Sequence, residues 1–180
     1  AELTTGDFSS FDAIVVGIRA SQTRPAYVAN NRRLLEYAEQ GGNLIVQYLQ
    51  PDFIAKGLAP YAASMDGNVR GVDETAAIVI LEPEHPVFTF PNRIDARDFD
   101  GWVQERNNYN FTSFDRDRYT PLTEAHDQGE PYSDGGMLYA KIGDGHYIYT
   151  SYSWFRQLPN GVPGAYRLFA NLLSLSAAAN

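Results

Sequence analysis

The segment 11–48 constrains this chain more than any other, because it reads as a complete β-α-β unit. Residues 11–17 (FDAIVVG) form a short apolar run ending in glycine, the pattern of a strand buried on both faces. Residues 19–24 are polar, and Pro25 supplies the φ that suits a helix's first turn. Tyr27, Leu34, Leu35 and Ala38 then recur at helical spacing, and Gly41-Gly42 offers the left-handed geometry that closes a helix. Leu44-Ile45-Val46 is a second short apolar run. Two buried strands joined by a helix predict a right-handed crossover and a parallel sheet. Ligands of such sheets sit outside the strands' carboxyl ends. Here those ends are 17–24 and 47–52.

Composition narrows the function classes. The 180 residues suffice for one well-buried domain, so 1–180 is read as a single unit. A net charge of −8 argues against nucleic-acid partners and against coating an anionic membrane, since both need a basic face. No run approaches the ~18 apolar residues of a membrane helix, so no membrane insertion is expected. Residues 1–10 are polar and partly acidic, unlike a secretory leader. The start, almost straight into a strand, has the look of a domain cut from a longer chain. Without cysteine there are no disulfides, no thiolate nucleophile and no cysteine-zinc site.

The remaining chain supplies further elements. Residues 51–60 read as a loop with at most a short helix, and 75–81 (TAAIVIL) as a third strand stopped by Pro83 and Pro86. Residues 87–135 show little helical period and interleave aromatics with arginines, an irregular insertion of the kind that is usually functional. Residues 137–150 read as a β-hairpin turning at Gly143-Asp144-Gly145. A closing helix runs from Pro163 to about Ser174, with Ala165, Leu168, Phe169, Leu172 and Leu173 on one face. Strands near 13–17, 44–48, 76–81, 137–141 and 146–150 predict an α/β fold. The expected form is a flavodoxin-like three-layer α/β/α sandwich, mainly parallel, with the hairpin on one edge.

These residues also resemble a family. FDAIVVGIRA, LLEYAEQGGNLIVQY, EHPVF, FDGWVQER and YTSYSWFRQLPNGVPGAYRLFANLL together resemble one known domain. It is the class I glutamine-amidotransferase-like domain C-terminal to the catalytic domain of bacterial PIG-L (LmbE-like) sugar deacetylases. ThuA-like domains are similar at greater distance. In working amidotransferases of this fold, a cysteine sits on the sharp turn after the second strand. Here that turn carries Tyr48, and 150–153, where the partner histidine and glutamate belong, has neither. The resemblance therefore implies a pseudoenzyme with no catalytic residues of its own, no cofactor and no metal. Its expected partners are a carbohydrate and the N-terminal catalytic domain of the parent chain. An envelope or extracellular location is implied by the resemblance alone. His85, His126 and His146 do not fit the deacetylase zinc motif, so that chemistry would lie elsewhere.

The candidate ligand residues follow from both lines. Arg19, with Arg24, flanks the loop after the first strand and could grip a carboxylate, phosphate or hydroxyl, or simply pair with the acidic surface. Gln47 and Tyr48 offer an amide and a phenol at the elbow, or serve packing. Trp102, Glu105 and Arg106, with Trp154, Phe155, Arg156 and Gln157, combine flat rings with hydrogen-bonding groups. That is the chemistry of sugar recognition, and the alternative is that both tryptophans close the core. His85 is a ligand or base, or a structural residue of a proline-locked turn. Asp66, Asn68, Asp73 and Glu74 could hold calcium, though their spacing is not that of an EF-hand. Asp115 to Arg118 alternate in sign like a solvated ion-pair stretch. A rival reading is an enzyme acting on glycosides by acid-base chemistry, for which Tyr48, Glu105, Arg106 and His85 must share one cleft. A pure scaffold is the other.

Overall fold

The structure, a computed structural model, describes residues 2–67 and 69–179. Its main sheet has five strands: β1 (Ala13–Val16), β2 (Asn43–Gln47), β3 (Thr120–Pro121), β4 (Met137–Ile142) and β5 (Gly145–Thr150). Two long helices, α1 (Pro25–Glu39) and α2 (Pro163–Leu173), cover it. Both helices start with proline in the first turn, where its missing N–H costs nothing. α1 stops at Gly41, whose φ of 107° no side chain tolerates well; Gly41 and Gly42 donate back to Ala38 and Tyr37.

The sheet order is β1-β2-β5-β4-β3. β1 pairs parallel with β2, and β2 parallel with β5, whereas β4 runs antiparallel to both β5 and β3. The expected mainly parallel, flavodoxin-like sheet is therefore not what forms: the sheet is mixed. The hairpin is the reason. Rather than capping an edge, its second strand enters the middle, in register from Asn43↔His146 to Gln47↔Thr150. All six residues of β5 are buried. The expected third strand, Ile78–Ile80, instead pairs antiparallel with Thr123–Ala125 outside the main sheet. Its middle residue, Val79, is 48% exposed, so it suits a one-sided ladder rather than a sheet interior.

Side chains alternate across the sheet as strand geometry requires. Leu44, Val46, Tyr147 and Tyr149 meet Tyr27, Leu34, Leu35 and Ala38 of α1. Ile45 and Ile148 meet Ala165, Leu168 and Leu172 of α2. The segment 87–135, expected as an insertion, is part of the core. Phe88, Ile94, Phe99 and Trp102 fill the α2 side, and Phe111 and Tyr119 the α1 side. Two more short ladders pin it: Ala63–Ser64 with Ser113–Phe114, and Arg70–Gly71 with Asn107–Asn108. Ahead of both ladder strands runs a 3-10 turn, Ala96–Phe99, closed by a capping box from Asp95 and Asp98. Among the described residues, no helix is long and apolar enough to cross a membrane.

The hairpin turn seats on the end of α1. Asp144 and His146 donate their N–H groups to the carbonyls of Glu39 and Gly42, both at 2.9 Å. A Cβ on Gly145 would lie 2.0 Å from the Ala38 carbonyl oxygen and 2.3 Å from that of Gly42, which are backbone atoms that cannot swing away. Gly145→Ala is thus expected to destabilise the protein by about 2 kcal/mol or more, as overpacking does. Gly17→Ala, with open space at the same atom, should stay within about 0.5 kcal/mol of the parent. Urea unfolding monitored by circular dichroism measures both.

Candidate functional site

At the carboxyl end of β2 the backbone turns sharply. Tyr48 has φ 51°, in the left-handed region, which is unfavourable for a bulky aromatic residue. The surroundings over-determine it. Its N–H donates to Thr150 at 2.8 Å, and its carbonyl accepts from Arg19 N–H at 3.2 Å. Its ring is wedged edge-on between Tyr109 and Phe155, at 5.3 and 4.8 Å between centroids. Its hydroxyl donates to Glu105 Oε1 at 2.5 Å. The elbow is a fixed point.

The strain is shared. Among the described residues, the non-glycine residues with positive φ are Arg19, Tyr48, Gln104 and Tyr109. All four meet here: Arg19 bonds the Tyr48 carbonyl, Tyr109 packs on its ring, and Gln104 precedes the carboxylate that Tyr48 engages. Such clustering of costly backbone is typical of ligand clamps and active sites.

Polar side chains extend outward from this point in two directions. On one side Arg156 Nε lies 3.3 Å from Glu105 Oε1, and its guanidinium also donates to the Gln104 amide oxygen while stacking on Phe155. A cleft of about 300 Å³ opens there, lined by Val103, Gln104, Phe155, Arg156 and Asn160. On the other side Gln50 donates to the Tyr109 hydroxyl at 2.8 Å and accepts from Gln22. Burial, followed by the hydrogen bond to Glu105 and its charge, pushes the Tyr48 phenol up from its ordinary value. At neutral pH it is a neutral donor.

Of the sequence-predicted residues, Arg19, Tyr48, Glu105 and Arg156 converge. Gln47 ends β2 beside them, half-buried. The others are corrected to structural roles. Trp102 (3% exposed) donates Nε1–H to the Asp98 carbonyl, and Trp154 (1%) donates to Thr150 Oγ1; the two rings pack on each other and on Tyr152. Neither ring presents a face to a ligand. Arg106 turns inward, its guanidinium donating to the carbonyls of Ala76 and Phe99. Gln157, fully buried, brackets Val103 through both backbone groups and donates to Ser153, whose hydroxyl donates to the Glu105 carbonyl at 2.7 Å. It positions Glu105 without reaching the surface. Gln22, Gln50, Gln104 and Tyr109 escaped the sequence reading as ligand residues. Gln22 and Gln50 lie within or beside the strand ends already marked, so the carboxyl-end rule contained their signal.

The acid-base quartet does not assemble. His85 caps the helix Pro86–Thr89 through Nδ1, 3.2 Å from Val87 N, and packs against Tyr139 at 4.6 Å. Tyr139 in turn bonds His146, opposite Asn43 at the amino end of β2. Beside the elbow, Thr150, Ser151, Tyr152 and Ser153 are all fully buried. The acidic residues suggested for calcium are otherwise engaged: Asp73 accepts from Thr75, and Glu74 from Gln104 N–H. Asn68 lies outside the described residues. Arg116 and Arg118 turn away from their neighbours, to Asp134 at 3.0 Å and onto the Tyr61 ring.

No protein-family model matches the chain, and no curated protein matches it. Solved structures do. A cytoplasmic protein of Salmonella typhimurium is similar at 17% identity and TM-score 0.54, over 91% of this chain and 70% of its own. A second, from Salmonella typhimurium LT2, is similar at 15% and 0.54, over 90% and 70%. A cold-adapted β-galactosidase from Rahnella sp. R3 is similar at 11% and 0.54, over 91% of this chain but only 23% of its own. At these identities the likeness is one of fold.

His85 gives a pH test of this arrangement. Burial, and then the nearby His146, hold its pKa down at about 4, against about 6.5 in an unfolded chain. Between these values the unfolded state binds the extra proton, so stability is complete above pH 6.5 and falls as pH drops towards 4. The loss is expected to approach about 3 kcal/mol at its limit, at about 1.4 kcal/mol per unit. His85→Asn keeps a capping oxygen without titrating. It should flatten that part of the stability profile, and denaturant titrations from pH 7 to 4 would show it.

Proposed function

We propose that this chain is a non-catalytic, amidotransferase-like accessory domain that binds carbohydrate at the carboxyl edge of its sheet. The supporting observation is the elbow: the turn after β2, where the family it resembles carries its nucleophile, holds Tyr48 at φ 51° with its hydroxyl committed to Glu105. A buried neutral phenol bound to a carboxylate is a poor nucleophile, and no imidazole stands beside it. What the edge offers instead is recognition chemistry. Phe155 and Tyr109 are partly exposed rings, and Gln22, Gln50, Gln104, Arg156 and Asn160 supply donors and acceptors around them. Sugars need both, a ring for their C–H faces and paired polar groups for their hydroxyls. The fold's occurrence as a fraction of a β-galactosidase fits an accessory role. On this reading the domain serves a sugar-modifying enzyme of the PIG-L type.

A glycan array followed by calorimetry is the test. Binding to at least one glycan is expected, weakened at least tenfold by Arg156→Ala, the ~1.4 kcal/mol of one charge-assisted hydrogen bond. Incubation with glutamine should release no ammonia. Absence of binding across the array would leave the scaffold reading in its place.

A further inference from the structure

Resting on the reading of this edge as a carbohydrate site, we propose that its ligand is an acidic saccharide, one whose sugar rings carry carboxylate or sulfate groups. The argument is an asymmetry in how the chain uses its arginines. Nearly all are engaged within the molecule: Arg32, Arg93, Arg97, Arg116, Arg156 and Arg167 with carboxylates, Arg33 and Arg106 with backbone carbonyls, Arg118 with a tyrosine ring. Among the described residues, three arginine side chains have no such partner: Arg19, Arg24 and Arg70. All three are exposed.

Their placement follows from backbone bonds already described. Arg19 N–H is held by the Tyr48 carbonyl. Arg24 closes the short helix Ala20–Thr23, which carries the Gln22 bonded to Gln50. Arg70 pairs with Asn108, next to Tyr109. They therefore sit on segments bonded to the elbow, to the helix of Gln22 and to the strand that precedes Tyr109. The carboxylates of the same region are, by contrast, supplied with donors. Glu105 accepts from Tyr48 and Arg156, Asp52 from Ser21 and Lys56, Glu74 from Gln104 N–H, and Asp73 from Thr75. Asp52 and Glu105 are matched by the cations of Lys56 and Arg156, whereas, among the described residues, Arg19, Arg24 and Arg70 hold no carboxylate in a protein whose total is −8. Over long range such a protein repels polyanions, but screening within about 8 Å at physiological salt leaves the local cations to decide. Guanidinium groups hold carboxylate and sulfate oxygens in a fixed fork, and a neutral sugar needs no such groups.

The test uses matched ligands on the purified protein: oligogalacturonate and its methyl ester, sulfated and desulfated glycosaminoglycan oligomers, and neutral galactose oligomers. Tighter binding of the charged member of at least one pair, by tenfold or more, is expected. Arg19→Asn, chosen because asparagine accepts the left-handed φ, should reduce that preference about fivefold without lowering the thermal midpoint. Arg70→Gln is a second variant at a distinct backbone position. Binding of neutral glycans alone, or equal binding within every pair, overturns the acidic preference while sustaining the carbohydrate reading. Failure of all these ligands to bind overturns both. An undiminished acidic preference in both arginine variants overturns the assignment of the rim.

Discussion

The parallel pairing of Asn43–Gln47 with His146–Thr150 is the constraint on which the rest depends. It joins the two ends of the chain and gives the sheet a centre with both faces buried. It therefore requires a helix on each side, which α1 and α2 provide. It also fixes where the site is. The strand's last bond places Thr150 against the N–H of Tyr48, so the polypeptide leaving β2 must turn away from a neighbour that continues in register. A left-handed residue accomplishes that turn within one step. The cost of holding tyrosine there, on the order of 1–2 kcal/mol, is offset by the burial of its ring and by the bond to Glu105.

The same pairing explains which parts of the fold were legible in the sequence. Periodicity is a local property, so β1, α1, β2, the hairpin and α2 all stand close to where their residues indicated. Strand partnership is not local. Residues 76–81 and 146–150 are both short apolar runs, and nothing in either says which will lie beside β2. The difference is quantitative: Tyr147, Ile148 and Tyr149 are buried on both faces, and the hairpin anchors them with a second strand, whereas Val79 leaves one face in water. The tryptophans were open to two readings for a related reason. Indole rings beside arginines look alike in a core and in a binding face until the segment 87–135 is seen to be one wall of the α2 core. At the site, the carboxyl-end rule located Arg19 and Tyr48. It could not supply Glu105, which reaches the elbow only because Gln157 and Ser153 bracket its backbone.

That bracketing bears on what the edge can do. Gln157 is fully buried and spends its amide on the backbone of Val103 and the hydroxyl of Ser153. Such a bracket is wasteful if Glu105 is only a surface acid, since an exposed carboxylate needs no positioning. It is intelligible if the carboxylate must meet both a phenol and a guanidinium at set distances, leaving the remaining faces of Arg156 and Gln104 directed at the cleft. Four non-glycine residues in left-handed backbone serve the same end. Their cost is borne in the free protein, so on the proposed reading little conformational entropy would be lost when a ligand binds, and preorganisation of this kind raises affinity without enlarging the contact.

The protonation of the elbow bears on the choice between the binding and acid-base readings. General acid-base chemistry needs groups that exchange protons near neutral pH. Tyr48 is moved the wrong way: its burial and its bond to a carboxylate both favour the protonated phenol. Burial holds His85 and His146 below the ordinary histidine value at the other end of β2, where His85, Tyr139 and His146 form their own packed group. His85 and His146 thus lie apart from the strained turn. On the proposed reading, this sheet edge, with its fixed donors and partly exposed rings, holds a molecule rather than changing it.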